Sequence, residues 1–224
     1  MTTDKEVVRN YFNTVGFDRW RRIYADESVK VNKVQLDIRT GHQQTVDYVL
    51  QWFKKDGNYS QISVCDAGCG VGSLSLPLAA AGAKVYASDI SKQMIAEAKT
   101  RATDPENPVF TVSDLESLSG EYDTVICLDV LIHYPIEQAE SMIKHLASMA
   151  KSRLILSFAP KNAYYSLLKK VGELFPGPSK TTRAYLHAES DIKRLLADNG
   201  FQVKRKELTC TQFYFSRLLE GVRN

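Results

Sequence analysis

Four acids, Asp66, Asp89, Asp114 and Asp129, are the residues whose type and spacing hold most chemistry, because each is expected where a buried strand finishes. Asp66 opens Asp66-Ala67-Gly68-Cys69-Gly70-Val71-Gly72, directly after the apolar run Ile62-Ser63-Val64-Cys65. Glycines in such a turn let the backbone come within contact distance of a ligand, and the amides of the next helix start face whatever occupies it. Asp89 closes a strand expected over 84–88, Asp114 one over 109–113, and Asp129 one over 124–128. Four carboxylates at four strand ends predict one ligand lying across the carboxyl edge of a parallel sheet.

The elements that must position these acids follow from the pattern around them. From residue 63 strands and helices alternate, with helices expected over 72–81, 91–101, 135–149 and 190–199, a fifth strand over 153–158, and a closing hairpin of 201–208 with 211–218. Ser91 reads as an N-cap and Asn199-Gly200 as a stop. Before the sheet, residues 4–13 place Val7, Val8, Tyr11 and Phe12 on one helical face, residues 16–24 interleave aromatics with Arg19, Arg21 and Arg22, and a helix is expected over about 41–53. This gives one α/β domain, 1–224, divided into an N-terminal helical cap (1–60), a core (61–158), a lid (159–189) and a last helix with its hairpin (190–224). The lid exceeds the usual connection of about 2 to 6 residues. It carries an expected helix over 162–174 and then a stretch rich in prolines, cations and aromatics that suits a flat acidic ligand.

Composition narrows the function classes. At 224 residues, 44% hydrophobic and 25% charged, the chain is long enough for one well-buried domain and short for two. A net charge of +3 argues against nucleic acid as the partner. No apolar stretch approaches the ~20 residues of a membrane span, and the N-terminus lacks signal-peptide order, so a soluble, cytoplasmic protein is expected. Cys65, Cys69, Cys127 and Cys210 show no C-x-x-C spacing and read as reduced thiols, not a metal site.

The glycine turn discriminates between two ligands. A dinucleotide fingerprint needs G-x-G-x-x-G, and here the third glycine position is Ser73. The pattern D-x-G-x-G-x-G resembles class I S-adenosylmethionine (SAM) methyltransferases, with a Rossmann-like seven-stranded sheet whose last strand is antiparallel. In that family Asp89 holds the ribose. The resemblance makes Tyr11, Arg39, Asp66, Ala67, Gly68, Gly70, Asp89, Ile90, Asp114, Leu115, Leu128 and Asp129 the expected SAM contacts, Arg39 as the cation for the cofactor carboxylate. His133, after the fourth strand, stands where such enzymes hold the acceptor, and the Asn/Asp-Pro-Pro-Tyr/Phe sequence of nucleobase amino-methylases is absent there. Tyr24 is the second catalytic candidate. His145 reads as structural, whereas His42 and His187 are left open.

Further segments carry a narrower resemblance: Tyr11-Phe12-Asn13, Gly16-Phe17-Asp18-Arg19-Trp20, Ile23-Tyr24, Gly41-His42-Gln43-Gln44-Thr45-Val46, and the stretches 65–73, 122–135 and 175–185. Together they resemble the magnesium protoporphyrin IX methyltransferases. That resemblance implies methyl transfer from SAM to one propionate of Mg-protoporphyrin IX, giving the 13-monomethyl ester and S-adenosyl-L-homocysteine (SAH) in chlorophyll biosynthesis. It further implies magnesium chelatase as a functional neighbour and at most peripheral contact with photosynthetic membranes. The absence of a transit peptide suggests a cyanobacterial-type form. A propionate, with a pKa near 4.3, needs no strong base. His133 and Tyr24 would orient it, and Lys180, Arg183 and Tyr185 would meet the porphyrin. The sequence does not choose an axial magnesium ligand among the four histidines. A methyltransferase for another carboxylic or hydroxyl acceptor, an RNA methylase and a non-catalytic SAM-binding protein are the rival readings.

Overall fold

The computed structural model describes residues 4–24, 29–57, 59–161 and 184–224. Among them seven strands form one sheet in the order β3-β2-β1-β4-β5-β7-β6, comprising β1 (Ser63–Ala67), β2 (Lys84–Asp89), β3 (Val109–Val112), β4 (Tyr122–Cys127), β5 (Ala150–Phe158), β6 (Phe201–Cys210) and β7 (Phe215–Arg223). The first five run parallel, and β7 pairs antiparallel with both β5 and β6. The reversal of strand order beside β1 opens the crevice in which α/β sheets hold ligands.

The central strands read as unbroken apolar runs because both faces are covered. Val125 and Cys127 of β4 and Leu154 and Leu156 of β5 pack on one side with Ile143 and Leu146 of α6 (Ile136–Met149) and Leu195 and Leu196 of α7 (Glu189–Asp198). Ile126 and Ile155, one residue out of step, pack on the other side with Val46, Val49 and Phe53 of α3 (Lys33–Asp56) and Ile95 of α5 (Lys92–Arg101). The cap is therefore two things. Helix α3 belongs to the core layer, whereas α1 (Asp4–Asn13) and α2 (Val15–Ile23) lie over the carboxyl edge.

Several boundaries differ from expectation, each for a local reason. Helix α3 begins at Lys33, not near 41, because Asn32 and Gln35 form a reciprocal capping box. Helix α4 (Ser75–Ala80) starts later than 72, since Gly68, Gly70 and Gly72 all take positive φ and the chain leaves β1 as a loop. Strand β7 begins at Phe215, not 211. Residues 211–214 instead make the hairpin turn, in which the Thr211 N–H donates to the Tyr214 carbonyl at 2.9 Å. The helix expected over 162–174 falls outside the described residues. No described helix is long and apolar enough to cross a membrane.

Candidate active site

A cavity of about 1190 Å³ opens along the carboxyl edge. Its floor is the glycine turn. There Gly68 has φ +87°, and a Cβ at this position would lie 2.2 Å from a Val130 methyl, so any other residue must displace the Val130 side chain and strain its own backbone. Asp89, at the end of β2, accepts the Gly70 N–H (3.0 Å) on one oxygen and the Ser91 N–H (2.8 Å) on the other. Each oxygen keeps a lone pair for a ligand hydroxyl. Burial outweighs those amides and pushes the carboxyl up to about 6. Asp66 sits deeper, with the Ser75 hydroxyl donating to it at 2.5 Å, and burial again raises it to about 6. The Cys69 thiol beside them is raised well above its ordinary value by burial, so it stays protonated and is no nucleophile.

Asp129 is built differently. Its backbone is left-handed, φ +57°, and its carboxylate is ringed by donors from three elements. One oxygen takes His42 Nδ1 at 2.9 Å and the Tyr214 hydroxyl at 2.7 Å; the other takes the hydroxyls of Ser157 at 2.9 Å and Ser216 at 3.4 Å. Burial pushes Asp129 up, yet His42, Tyr214 and Ser157 together hold it below the usual carboxylate range. A carboxylate so saturated orients its neighbours and has little left for a ligand. Because it can only accept, His42 Nδ1 carries the proton, which fixes the ring with Nε2 as the atom left to meet a ligand. Gly41 makes this possible: any Cβ there would lie 2.4 Å from the Tyr214 ring.

The cap closes the cavity from above. Tyr24 packs its ring 4.4 Å from His42 and 5.4 Å from Trp20, and Tyr11 accepts a 3.1 Å hydrogen bond from Trp20 Nε1. His133 ends the 3-10 turn Leu131–His133 and meets the Phe12 ring edge-on at 5.4 Å. Its Nδ1 is buried without a hydrogen-bond partner among the described residues, and burial lowers its pKa to about 4. The imidazole is neutral at physiological pH. Tyr185 completes the far wall, its N–H donating to the Ile132 carbonyl at 2.7 Å.

Of the expected contacts, Tyr11, Tyr24, Asp66, Gly68, Gly70, Asp89, Ile90, Asp114, Leu115, Leu128, Asp129, His133 and Tyr185 all line this cavity. Ala67 does not, being fully buried in β1. Arg39 does not either: it lies inside α3, and its guanidinium donates to the carbonyls of Arg22 (2.5 Å), Ile23 (3.0 Å) and Val29 (3.1 Å), clamping the cap. Asp114 caps the 3-10 turn Leu115–Ser117 and pairs with Lys5 (3.4 Å) and Arg9 (3.6 Å), so it also anchors α1. Lys180 and Arg183 lie outside the described residues. His145 bonds the Leu118 carbonyl (3.0 Å) and buried His187 that of Leu131 (2.9 Å), both structural contacts. Sequence reasoning missed the roles of His42 and Tyr214. Their contacts with Asp129 join residues 87 and 85 positions apart, and no local pattern encodes that.

Comparison with known proteins places this architecture. Residues 127–223 match the family model of the magnesium-protoporphyrin IX methyltransferase C-terminus, and residues 64–153 match a general methyltransferase-domain model. The chain is 61% identical to the magnesium-protoporphyrin O-methyltransferase of Synechocystis sp., over 99% of this chain and 97% of that protein. It is 59% identical to the chloroplastic magnesium protoporphyrin IX methyltransferase of Arabidopsis thaliana, over 98% of this chain and 71% of that one. Its fold is similar to the crystal structure of magnesium protoporphyrin IX methyltransferase from Synechocystis PCC 6803 with bound SAH, with a TM-score of 0.91, 59% identity, and coverage of 98% of this chain and 100% of that one.

Proposed function

The chain belongs to the magnesium-protoporphyrin IX methyltransferase family, and on that footing we propose that it methylates one propionate of Mg-protoporphyrin IX in its aromatic-lined cavity, giving the 13-monomethyl ester. It is a SAM-dependent O-methyltransferase of chlorophyll biosynthesis. The observation that carries the site assignment is one cavity with two kinds of lining. Gly68, Gly70 and Asp89 give it polar groups and backbone amides, and Phe12, Trp20, Tyr24, Ile132 and Tyr185 give it aromatic and apolar walls. Its volume exceeds the roughly 300 to 1,000 Å³ of an ordinary ligand pocket, as two ligands side by side require.

The residues fit SAM. Asp89 keeps a free lone pair on each oxygen for the ribose hydroxyls, and the Gly68 cradle has no room for a side chain. When bound, SAM supplies an electrophilic sulfonium methyl. The chain's part is to hold a carboxylate in line and dry. Buried, neutral His133 has an Nδ1 without a partner among the described residues, an arrangement that costs about 1 to 3 kcal/mol until something bonds it. An Nδ1–H donated to the propionate removes that cost and fixes the nucleophile's direction. Tyr24, whose hydroxyl burial keeps protonated, is the second donor. Positioning of this kind supplies several kcal/mol of barrier lowering, and closure by α1 and α2 keeps water out.

Since the acceptor already holds magnesium, a chelatase that inserts the metal is the expected functional neighbour. The site of action proposed is the cytoplasm, with at most peripheral contact with photosynthetic membranes. The direct test is titration with Mg-protoporphyrin IX followed by visible absorbance, then incubation with SAM and mass detection of the product. A gain of one methyl on a propionate is expected. Methylation of a different acceptor with none on the porphyrin overturns the substrate, and binding of both ligands with no turnover overturns the roles given to His133 and Tyr24.

A further inference from the structure

The β6–β7 turn reaches the cavity, and besides Tyr214, which bonds Asp129, it brings Phe213 there. Gln212, Phe213, Tyr214 and Phe215 all line the cavity wall. Phe213 is 45% exposed. Asp37 of α3 holds that turn from below: its carboxylate accepts the Thr211 hydroxyl (2.7 Å), the Phe213 N–H (2.7 Å) and the Gln212 N–H (3.3 Å). The turn is also closed on itself by the Thr211–Tyr214 bond, and Tyr214 is anchored to Asp129. Partial burial pushes Asp37 up, but these three donors and the nearby Lys33 hold it below its ordinary value. Ile38, the next residue of α3, lines the same cavity. A lone exposed phenylalanine needs no explanation by itself. One carried on a turn that three hydrogen bonds tie to Asp37 has its backbone set beforehand against a ligand cavity, which removes part of the entropy cost of binding.

We propose that Phe213 is a substrate-specificity residue: its ring, pre-set by Asp37, is the platform on which the flat face of the tetrapyrrole rests while a propionate reaches His133. This rests on the Mg-protoporphyrin reading above. Two features select a flat macrocycle. Trp20 and Tyr185 line the same cavity as Phe213, so it offers several aromatic rings, and the polar contacts of the turn run to Asp37 and Asp129, leaving the Phe213 ring to apolar contact. A ring platform discriminates by stacking and apolar contact, which a small hydroxyl acceptor cannot exploit.

The test uses the full chain, Mg-protoporphyrin IX as probe in a Soret-band titration with SAH present, and calorimetry with SAH alone. Phe213→Ala is expected to weaken porphyrin binding about tenfold, the loss of one stacking aromatic, and to raise KM for porphyrin with kcat at saturation and SAH affinity unchanged. Phe213→Trp should bind within about twofold of the unaltered chain, and Asp37→Asn, which frees the turn but keeps the ring, should lose about threefold. Porphyrin affinity undiminished in Phe213→Ala, or SAH affinity falling in parallel with it, overturns the platform alone. Absence of any Soret shift with the unaltered chain sinks the substrate reading and the platform with it. A loss in Phe213→Ala that Phe213→Trp fails to restore, with the thermal midpoint unchanged, also counts against stacking.

Discussion

Asp66 and Asp89 are acids held in the wrong medium for acids. Asp66, 2% exposed, has its pKa pushed up to about 6 by burial, with the Asp89 charge adding to the shift and the Ser75 hydroxyl opposing it. The folded chain therefore binds this proton more tightly than the unfolded chain, whose carboxyl titrates near 3.9. The sign follows: its contribution to stability is fully present below about pH 4 and is lost as pH rises through about 6, a loss of roughly 2 to 3 kcal/mol for a shift of this size. Asp66→Asn mimics the protonated form and can still accept from Ser75. Thermal unfolding of the ligand-free protein should find this variant more stable than the parent at pH 7.5 and equal to it at pH 4. Equal stability at both pH values would show that burial of the charge carries no penalty. Asp129 is the opposite case, because its four donors make ionisation cheap. Replacing His42 by Ala and Asp129 by Asn should each weaken SAM binding about tenfold or less, and the double variant should be no worse than the more impaired single one, since both changes release the same imidazole. Additive losses in calorimetry would mean that the two act separately.

At the scale of elements, the site depends on how the cap is docked, and two arginines hold the end of α2. Arg39 bonds the carbonyls of Arg22 and Ile23, and Arg101, from α5, bonds those of Tyr24 (2.8 Å) and Arg21 (3.5 Å). Both guanidiniums meet the C-terminal end of α2, where unpaired carbonyls and the helix dipole favour a cation. Arg101→Ala should accelerate proteolytic cleavage within the first 24 residues and weaken SAM binding several-fold, at a cost in global stability of about 1 to 2 kcal/mol or less. Resistance to proteolysis equal to that of the unaltered chain would place the hold elsewhere. How far such elements can be read from sequence depends on where their determinants lie. Helix α5 was legible because Ser91 accepts the Met94 N–H within its own first turn. The start of α3 was equally encoded in Asn32 and Gln35, but the apolar residues after Asn32, namely Val34, Leu36 and Ile38, alternate with polar ones at a strand-like period of two. Arg39 was misplaced for that reason: with the helix start set too late, it was expected in a loop facing the cofactor instead of on a helix facing α2.

Across the whole molecule, the strand ends and the glycine turn were legible because a parallel sheet writes itself as local apolar runs ended by acids. The closing hairpin with its antiparallel last strand was legible as well, but the charges that fasten it were not, because they lie far apart in the chain. Glu220 of β7 is 1% exposed and sits opposite Arg205 of β6 in register. Arg153 of β5 reaches its carboxylate at 2.5 Å and Arg205 reaches it at 3.3 Å, and both arginines also pair with Asp56 at the end of α3. Arg153 further stacks on Phe53, 4.5 Å from the ring centre. One buried carboxylate thus ties three strands to the helix that carries His42 and Asp37, so the architecture and the site share a fastening. Removing one partner from a buried ion group leaves the other charges uncompensated, which costs about 3 to 5 kcal/mol, whereas a pair open to solvent is worth about 1 kcal/mol or less. Glu220→Gln should accordingly lower the urea midpoint by the larger amount with an unchanged denaturant slope, and Asp56→Asn, whose side chain is 32% exposed, by the smaller. Similar small losses in both variants would mean that the network is a solvated decoration of the sheet edge. A large loss confined to Glu220→Gln, with SAH affinity intact at low denaturant, identifies it as the fastening of the antiparallel end of the sheet.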